Sequence, residues 1–178
     1  TVDSSNMAVL LQRAGYAPTL DATEADILIV NTCGFIEAAR QESLETMRDL
    51  AAELRPEQRL VAAGCWAQRE PDVLLNAIPQ LDAVLGTRTW NDIVSVTDSL
   101  FAANETTPLR RIARTPVTLP EAADTPGFVI SGPSAFLKVA DGCSRTCAFC
   151  AIPAIKGATV SRPINAVLDD ARQLQEFG

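Results

Sequence analysis

The chain contains no histidine. That absence excludes Ser/His/Asp triads, Cys/His dyads and every histidine-containing zinc site from these residues. Basic residues are also scarce, with 15 Lys and Arg against 22 Asp and Glu and a formal net charge of -7. Nucleic-acid binding carried mainly by phosphate contacts needs clustered Lys and Arg, so the balance argues against a DNA partner and suits a basic protein partner. No apolar run approaches the roughly 18 residues of a membrane span, and no membrane association is expected. There is no internal repeat and no low-complexity tract. Residue 1 is Thr rather than an initiator Met, and Gly178 follows the last helical pattern with nothing to pack after it, so both ends are expected to be cut.

The 47% hydrophobic content suits an α/β protein, and the order of its apolar patterns supports that class. Asp3 and Ser4 are placed to cap a helix with Met7, Leu10, Leu11 and Ala14 on one face and Gly15 as its stop. Ile27 to Val30 is apolar on both faces and rich in β-branched residues, as a central parallel strand is, and it runs into Asn31-Thr32-Cys33-Gly34. Ile36 to Leu54 has helical periodicity through Ile36, Ala39, Met47, Leu50, Ala51 and Leu54, and Pro56 prevents its continuation. A second strand, Leu60 to Ala63, ends in Gly64-Cys65. A short helix over 70–78, a third strand over Ala83 to Leu85, and a helix from Trp90 to Phe101 with Ile93, Val94, Thr97, Leu100 and Phe101 inward complete a parallel-sheet pattern.

Pro108, Pro116, Pro120, Pro126 and Pro133 interrupt residues 104–133, which read as a linker or surface strap. The expected domains are therefore 1–103, the linker 104–133, and 134–178. In the last, Phe136 to Ala140 alternates like a strand, a cysteine loop follows, and Ser161-Arg162-Pro163 caps a helix with Ile164, Val167, Leu168, Ala171 and Leu174 inward. This reads as the first βα unit of another α/β domain.

The five cysteines carry any metal chemistry. Cys143, Cys147 and Cys150 form CxxxCxxC, three soft thiolates suited to an iron-sulfur cluster or zinc. A structural zinc site needs a fourth ligand, and no His or nearby Cys supplies one. Three thiolates on a four-iron cluster leave one iron open to a small molecule. Cys33 and Cys65 each stand beside a Gly at the carboxyl end of an expected parallel strand, the sheet edge where open α/β folds place ligands. They are either a ligand pair or two small buried hydrophobes.

The cysteine triplet with Phe149 before its last member resembles the signature of the radical S-adenosylmethionine (SAM) superfamily. Asn31-Thr32-Cys33-Gly34-Phe35 and Gly64-Cys65-Trp66-Ala67-Gln68-Arg69 resemble two of the three cysteine motifs of methylthiotransferases. Ala135 to Ala140 and Ala151 to Gly157 resemble the branch acting on a ribosomal-protein aspartate, and Thr159 stands where enzymes acting on tRNA usually have Glu. The resemblance implies a parallel-sheet N-terminal domain followed by the start of a TIM-like barrel. It implies two 4Fe-4S clusters, one held by Cys143, Cys147 and Cys150 with SAM on its open iron. The other would be held by Cys33 and Cys65 with a third cysteine falling before Thr1. Phe149 is the residue assigned to SAM itself.

The implied activity is methylthiolation of an aspartate of small-subunit ribosomal protein twelve, through a SAM-derived radical and sulfur delivered from the second cluster. The implied partners are that protein or its ribosomal subunit and an electron donor such as flavodoxin or ferredoxin, in the cytoplasm. This part alone is expected to be inactive. The rival readings are a tRNA adenosine methylthiotransferase and a non-catalytic iron-sulfur carrier or scaffold. Lys138, Arg145, Lys156 and Arg162 either contact the SAM carboxylate or shape the site, or are solvated surface charges, the commoner fate of such residues.

Overall fold

A computed structural model describes residues 2–102, 108–112 and 125–177. The order is α1 (Val2–Arg13), β1 (Ile27–Thr32), α2 (Glu37–Ala52), β2 (Arg59–Gly64), α3 (Cys65–Arg69), α4 (Pro71–Ala77) and β3 (Ala83–Gly86). A 3-10 turn over Trp90–Asp92 leads into α5 (Ile93–Ala102), and β4 (Leu109–Arg111) follows. Beyond it come β5 (Phe128–Ser131), β6 (Ser134–Leu137), β7 (Ala140–Asp141), α6 (Ile152–Lys156), β8 (Val160–Ser161) and α7 (Ile164–Glu176).

Strands β1 to β4 form one parallel sheet in sequence order. The apolar runs of β2 and β3 are buried because both faces are covered, and successive side chains go to opposite faces. Val61 and Ala63 join Met7, Trp90, Ile93 and Val96 beneath α1 and α5. Leu60 and Ala62 join Met47, Trp66, Leu74 and Ile78 beneath α2, α3 and α4. The strand and helix expectations over 27–101 therefore hold, with two exceptions at the helix surfaces. Ile36 and Phe101 are about half exposed, because α2 begins only after Ile36 and Phe101 sits in the last turn of α5.

Several expectations are corrected. Asp3 and Ser4 lie inside the first turn of α1 rather than capping it. Cys65–Arg69, where no element was expected, is helical. Leu109 to Arg111, inside the expected linker, adds the fourth strand, since three residues free of proline suffice for an edge strand and Pro108 stands just outside it. Pro116 and Pro120 lie outside the described residues. The expected strand over 136–140 is split: β6 pairs antiparallel with β5 across a turn at Gly132, and the two residues of β7 pair antiparallel with β8. A parallel βα unit is not formed among the described residues of 134–178. Helix α7 starts after Pro163 without a side-chain cap, and Ile164 and Leu168, expected inward, are 78% and 49% exposed. No helix among the described residues is long and apolar enough to cross a membrane.

Candidate metal centres at a sheet edge and a cysteine loop

Thr32, Gly64 and Gly86 are in register across β1, β2 and β3, so the residues that follow them leave the sheet side by side. Those residues are Cys33, Cys65 and Thr87. The close approach of these chain ends depends on glycine. Gly64 has φ +117°, and a Cβ on it would meet Thr32 O and Asn31 Oδ1 at 2.7 Å. The Thr87 amide donates to Gly64 O at 3.1 Å, extending the ladder one residue past the strand. Ser43 Oγ of α2 lies 3.5 Å from the Cys33 amide.

Both thiols are half-buried and free. Burial pushes the Cys65 thiol up from its ordinary range, and nearby Cys33 and Asp3 add to the rise, while Lys156 and a hydrogen bond with Thr87 oppose it. Lys156 ends α6, the helix that begins two residues after Cys150. The sheet edge is thus electrostatically linked to the segment that carries the other cysteines.

That second set lies in residues 142–150, which have no helix or strand. The base of the loop is anchored: the Cys143 amide donates to Gly157 O at 3.0 Å, and Ser144 and Thr159 exchange two hydrogen bonds of 3.0 Å. Gly142 has φ +75°, and a Cβ there would meet Ala158 O at 2.2 Å. Further along the loop, the Cys150 amide donates to Cys147 O at 3.1 Å. Cys147 is exposed, Cys143 and Cys150 are half-buried, and Phe149 is 90% exposed. Among the described residues no three His, Cys, Asp or Glu side chains converge as a metal cage. The donor chemistry nevertheless fits iron-sulfur groups, because all five cysteines are unpaired soft thiols and no disulfide consumes them.

Of the four cations, Arg162 is buried and Lys138 and Lys156 are half-buried in ion pairs rather than solvated. Lys138 and Lys156 pair with Asp3 and Asp141 at 2.6 to 3.2 Å, with side chains 11% to 18% exposed. Arg162 pairs with Asp170 at 2.6 Å, both side chains under 5% exposed, and donates to Lys138 O at 2.8 Å. Arg145 alone is exposed. Burial works to raise Asp141, but Lys138 and Lys156 outweigh it and hold the carboxyl below its ordinary range. Burial likewise works to lower Lys156, and Asp3 and Asp141 outweigh it and hold the ammonium above its own. Asp3 and Asp141 were not legible as site residues. No sequence signal connects Lys138 or Lys156 to either carboxylate.

Residues 1–86 match the uncharacterized protein family UPF0004. The chain is 41% identical to the ribosomal protein uS12 methylthiotransferase RimO of Roseiflexus castenholzii, over 99% of this chain and 41% of that protein. It is 38% identical to the protein of the same name from Herpetosiphon aurantiacus, over 100% and 43% of the two chains. The corresponding protein of Chloroflexus aurantiacus is 40% identical, over 99% and 41%. The chain spans about two fifths of the length of these curated relatives. Residues 1–86 thus carry a UPF0004 domain, and along essentially its whole length the chain is similar to proteins named ribosomal protein uS12 methylthiotransferase.

Proposed function

We propose that this chain is the N-terminal part of a radical SAM methylthiotransferase that adds a methylthio group to an aspartate of ribosomal protein uS12. The observation that carries the reading is that Cys33 and Cys65 leave one sheet edge side by side, and that the Lys156–Asp3 ion pair joins this edge to the helix following the CxxxCxxC loop. The name of the relatives supports this substrate, and the net charge of -7 suits a basic ribosomal protein, whose approach an acidic surface would speed at low salt.

In this reading Cys143, Cys147 and Cys150 hold one 4Fe-4S cluster with SAM. Cys33 and Cys65 contribute two ligands to a second cluster, with a third ligand from outside this chain. When bound, these groups supply one-electron cleavage of SAM, hydrogen abstraction from an unactivated carbon and delivery of sulfur, chemistry that belongs to the cofactors. The chain's own residues position and shield. The anchored base of the cysteine loop fixes where Cys143 leaves the backbone, and Phe149, 90% exposed, offers an apolar surface for SAM to cover. Residues from 134 onward are read as the opening of a TIM-like barrel, although among the described residues β6 and β7 pair only antiparallel. An electron donor such as flavodoxin or ferredoxin, and a cytoplasmic setting, complete the proposal.

The test is deletion of the gene followed by mass spectrometry of uS12 and of tRNA from the same strain. The expected result is loss of one methylthio increment from uS12 with tRNA methylthiolation intact. Loss from tRNA alone would transfer the assignment to an adenosine substrate. A reconstituted full-length protein that binds iron and sulfide but cleaves no SAM would be a carrier instead.

A further inference from the structure

Asp3, Lys138, Asp141 and Lys156 form a closed ring of alternating charge. Asp3 lies 2.6 Å from Lys138 and 2.8 Å from Lys156, and Asp141 lies 2.9 Å and 3.2 Å from the same two ammonium groups. The ring joins positions 135 and 153 residues apart in sequence. All four side chains are more than four-fifths buried, so their desolvation offsets much of their attraction, and apolar side chains of similar size would stabilise the contact as well or better. What such a ring adds is geometry, because opposite charges and hydrogen bonds accept few registers. A second grip acts on the same helix. Arg88, from the turn after β3, donates Nε to Ile155 O at 2.7 Å and Nη2 to Ala154 O at 2.6 Å, engaging carbonyls at the end of α6. The segments on both sides of the cysteine loop are therefore held against the sheet edge, 138–141 by the ring and α6 by the ring and Arg88.

We propose that Asp3 is a positioning residue: through Lys138 and Lys156 it fixes the flanks of the 143–150 loop against the edge carrying Cys33 and Cys65, so that radical formation and sulfur delivery stay coupled. The coupling rests on the methylthiotransferase reading, whereas the docking does not.

The experiment uses the full-length protein with Asp3→Asn and Asp3→Glu, and with Lys138→Met as an independent break of the ring. In the metal-free protein, amide exchange over 138–141 and 152–157 should rise about tenfold or more in Asp3→Asn and Lys138→Met, with β2 and β3 unchanged and Asp3→Glu near wild type. In the reconstituted protein SAM cleavage should persist in Asp3→Asn, while the ratio of 5'-deoxyadenosine to methylthiolated product rises about tenfold. Unchanged exchange overturns the docking. Raised exchange with an unchanged ratio overturns the positioning role. A wild-type protein that cleaves no SAM sinks the functional reading and the coupling with it, and leaves the exchange result to decide the docking.

Discussion

The hydroxyl of Thr32 donates to the carbonyl of Ala63 at 2.8 Å and accepts from the amide of Ala67 at 3.3 Å. One side chain, 2% exposed, therefore ties the ends of β1 and β2 to the first turn of α3, the backbone on either side of Cys33 and Cys65. Thr32→Val keeps the shape and removes both bonds, leaving a buried amide at a helix start without its partner. The expected loss is about 1–3 kcal/mol, read as a lower denaturation midpoint at unchanged slope. A midpoint equal to that of the parent would mean that the strand register alone holds the edge together.

A larger loss is expected at the other end of the chain. Asp170 accepts from Arg162 at 2.6 Å and from the Gly127 amide at 3.0 Å, and Arg162 also donates to Lys138 O. Asp170→Ala would strand a buried guanidinium and a buried amide together, a change that costs about 3–5 kcal/mol when one partner of a buried pair is removed. Because the clamp reaches from α7 to the residues before β5, proteolysis of the variant should begin at the β5–β6 hairpin. Cleavage that starts within β2 or β3 would contradict this assignment.

The legible part of this molecule was the part governed by short-range pattern. Short apolar runs, two of them ending in Gly, alternating with helical periodicity, suffice for three strands and their covering helices, since each pattern reports its own burial. The placement of Cys33 beside Cys65 followed from the same pattern, because parallel strands in one βαβ unit end on one edge. What stayed hidden depends on pairing between distant segments. Leu109 to Arg111 is only three residues with two charges, and it becomes a strand because β3 offers an open edge. Phe136 to Ala140 has a strand's alternation, but its partners, β5 for one part and β8 for another, decide where it breaks. Lys138 and Lys156 look like surface cations until Asp3, more than 130 residues away, is brought to them.

Tyr16, the sole tyrosine, donates its phenol to Asp98 Oδ1 at 2.6 Å. That hydrogen bond raises its pKa above the ordinary 10.0, with smaller contributions from burial and from the carboxylate's charge. The folded-state value is the higher one, so the contact stabilises fully below the unfolded pKa and its contribution is lost as pH rises through the folded pKa. A near-ultraviolet titration, in which the single tyrosinate is read directly, should give a midpoint above that of the unfolded chain. Asp98→Asn should bring it back toward the ordinary value. A wild-type midpoint equal to that of the unfolded chain would show that the bond is not formed in solution.

Under the proposed function, the cysteines divide into two sets whose removal should have different consequences in the full-length protein. Cys33 and Cys65 are half-buried at an edge whose core neighbours, Val61 to Ala63 and Val84 to Leu85, belong to apolar clusters that include neither cysteine, so alanine at either position should leave the sheet intact. If these two thiols serve sulfur delivery, Cys33→Ala and Cys65→Ala should retain 5'-deoxyadenosine formation from SAM and lose methylthiolated uS12. Cys147 is exposed in a loop anchored at its base, so Cys147→Ala should also fold, yet it removes one of only three thiolates available there. Its expected phenotype is loss of 5'-deoxyadenosine and product together. Circular dichroism of the metal-free variants separates misfolding from lost chemistry, and the two products are quantified in one reaction by mass spectrometry. Normal product from both Cys33→Ala and Cys65→Ala would reduce that pair to core residues, and near wild-type SAM cleavage by Cys147→Ala would remove the loop from the radical step.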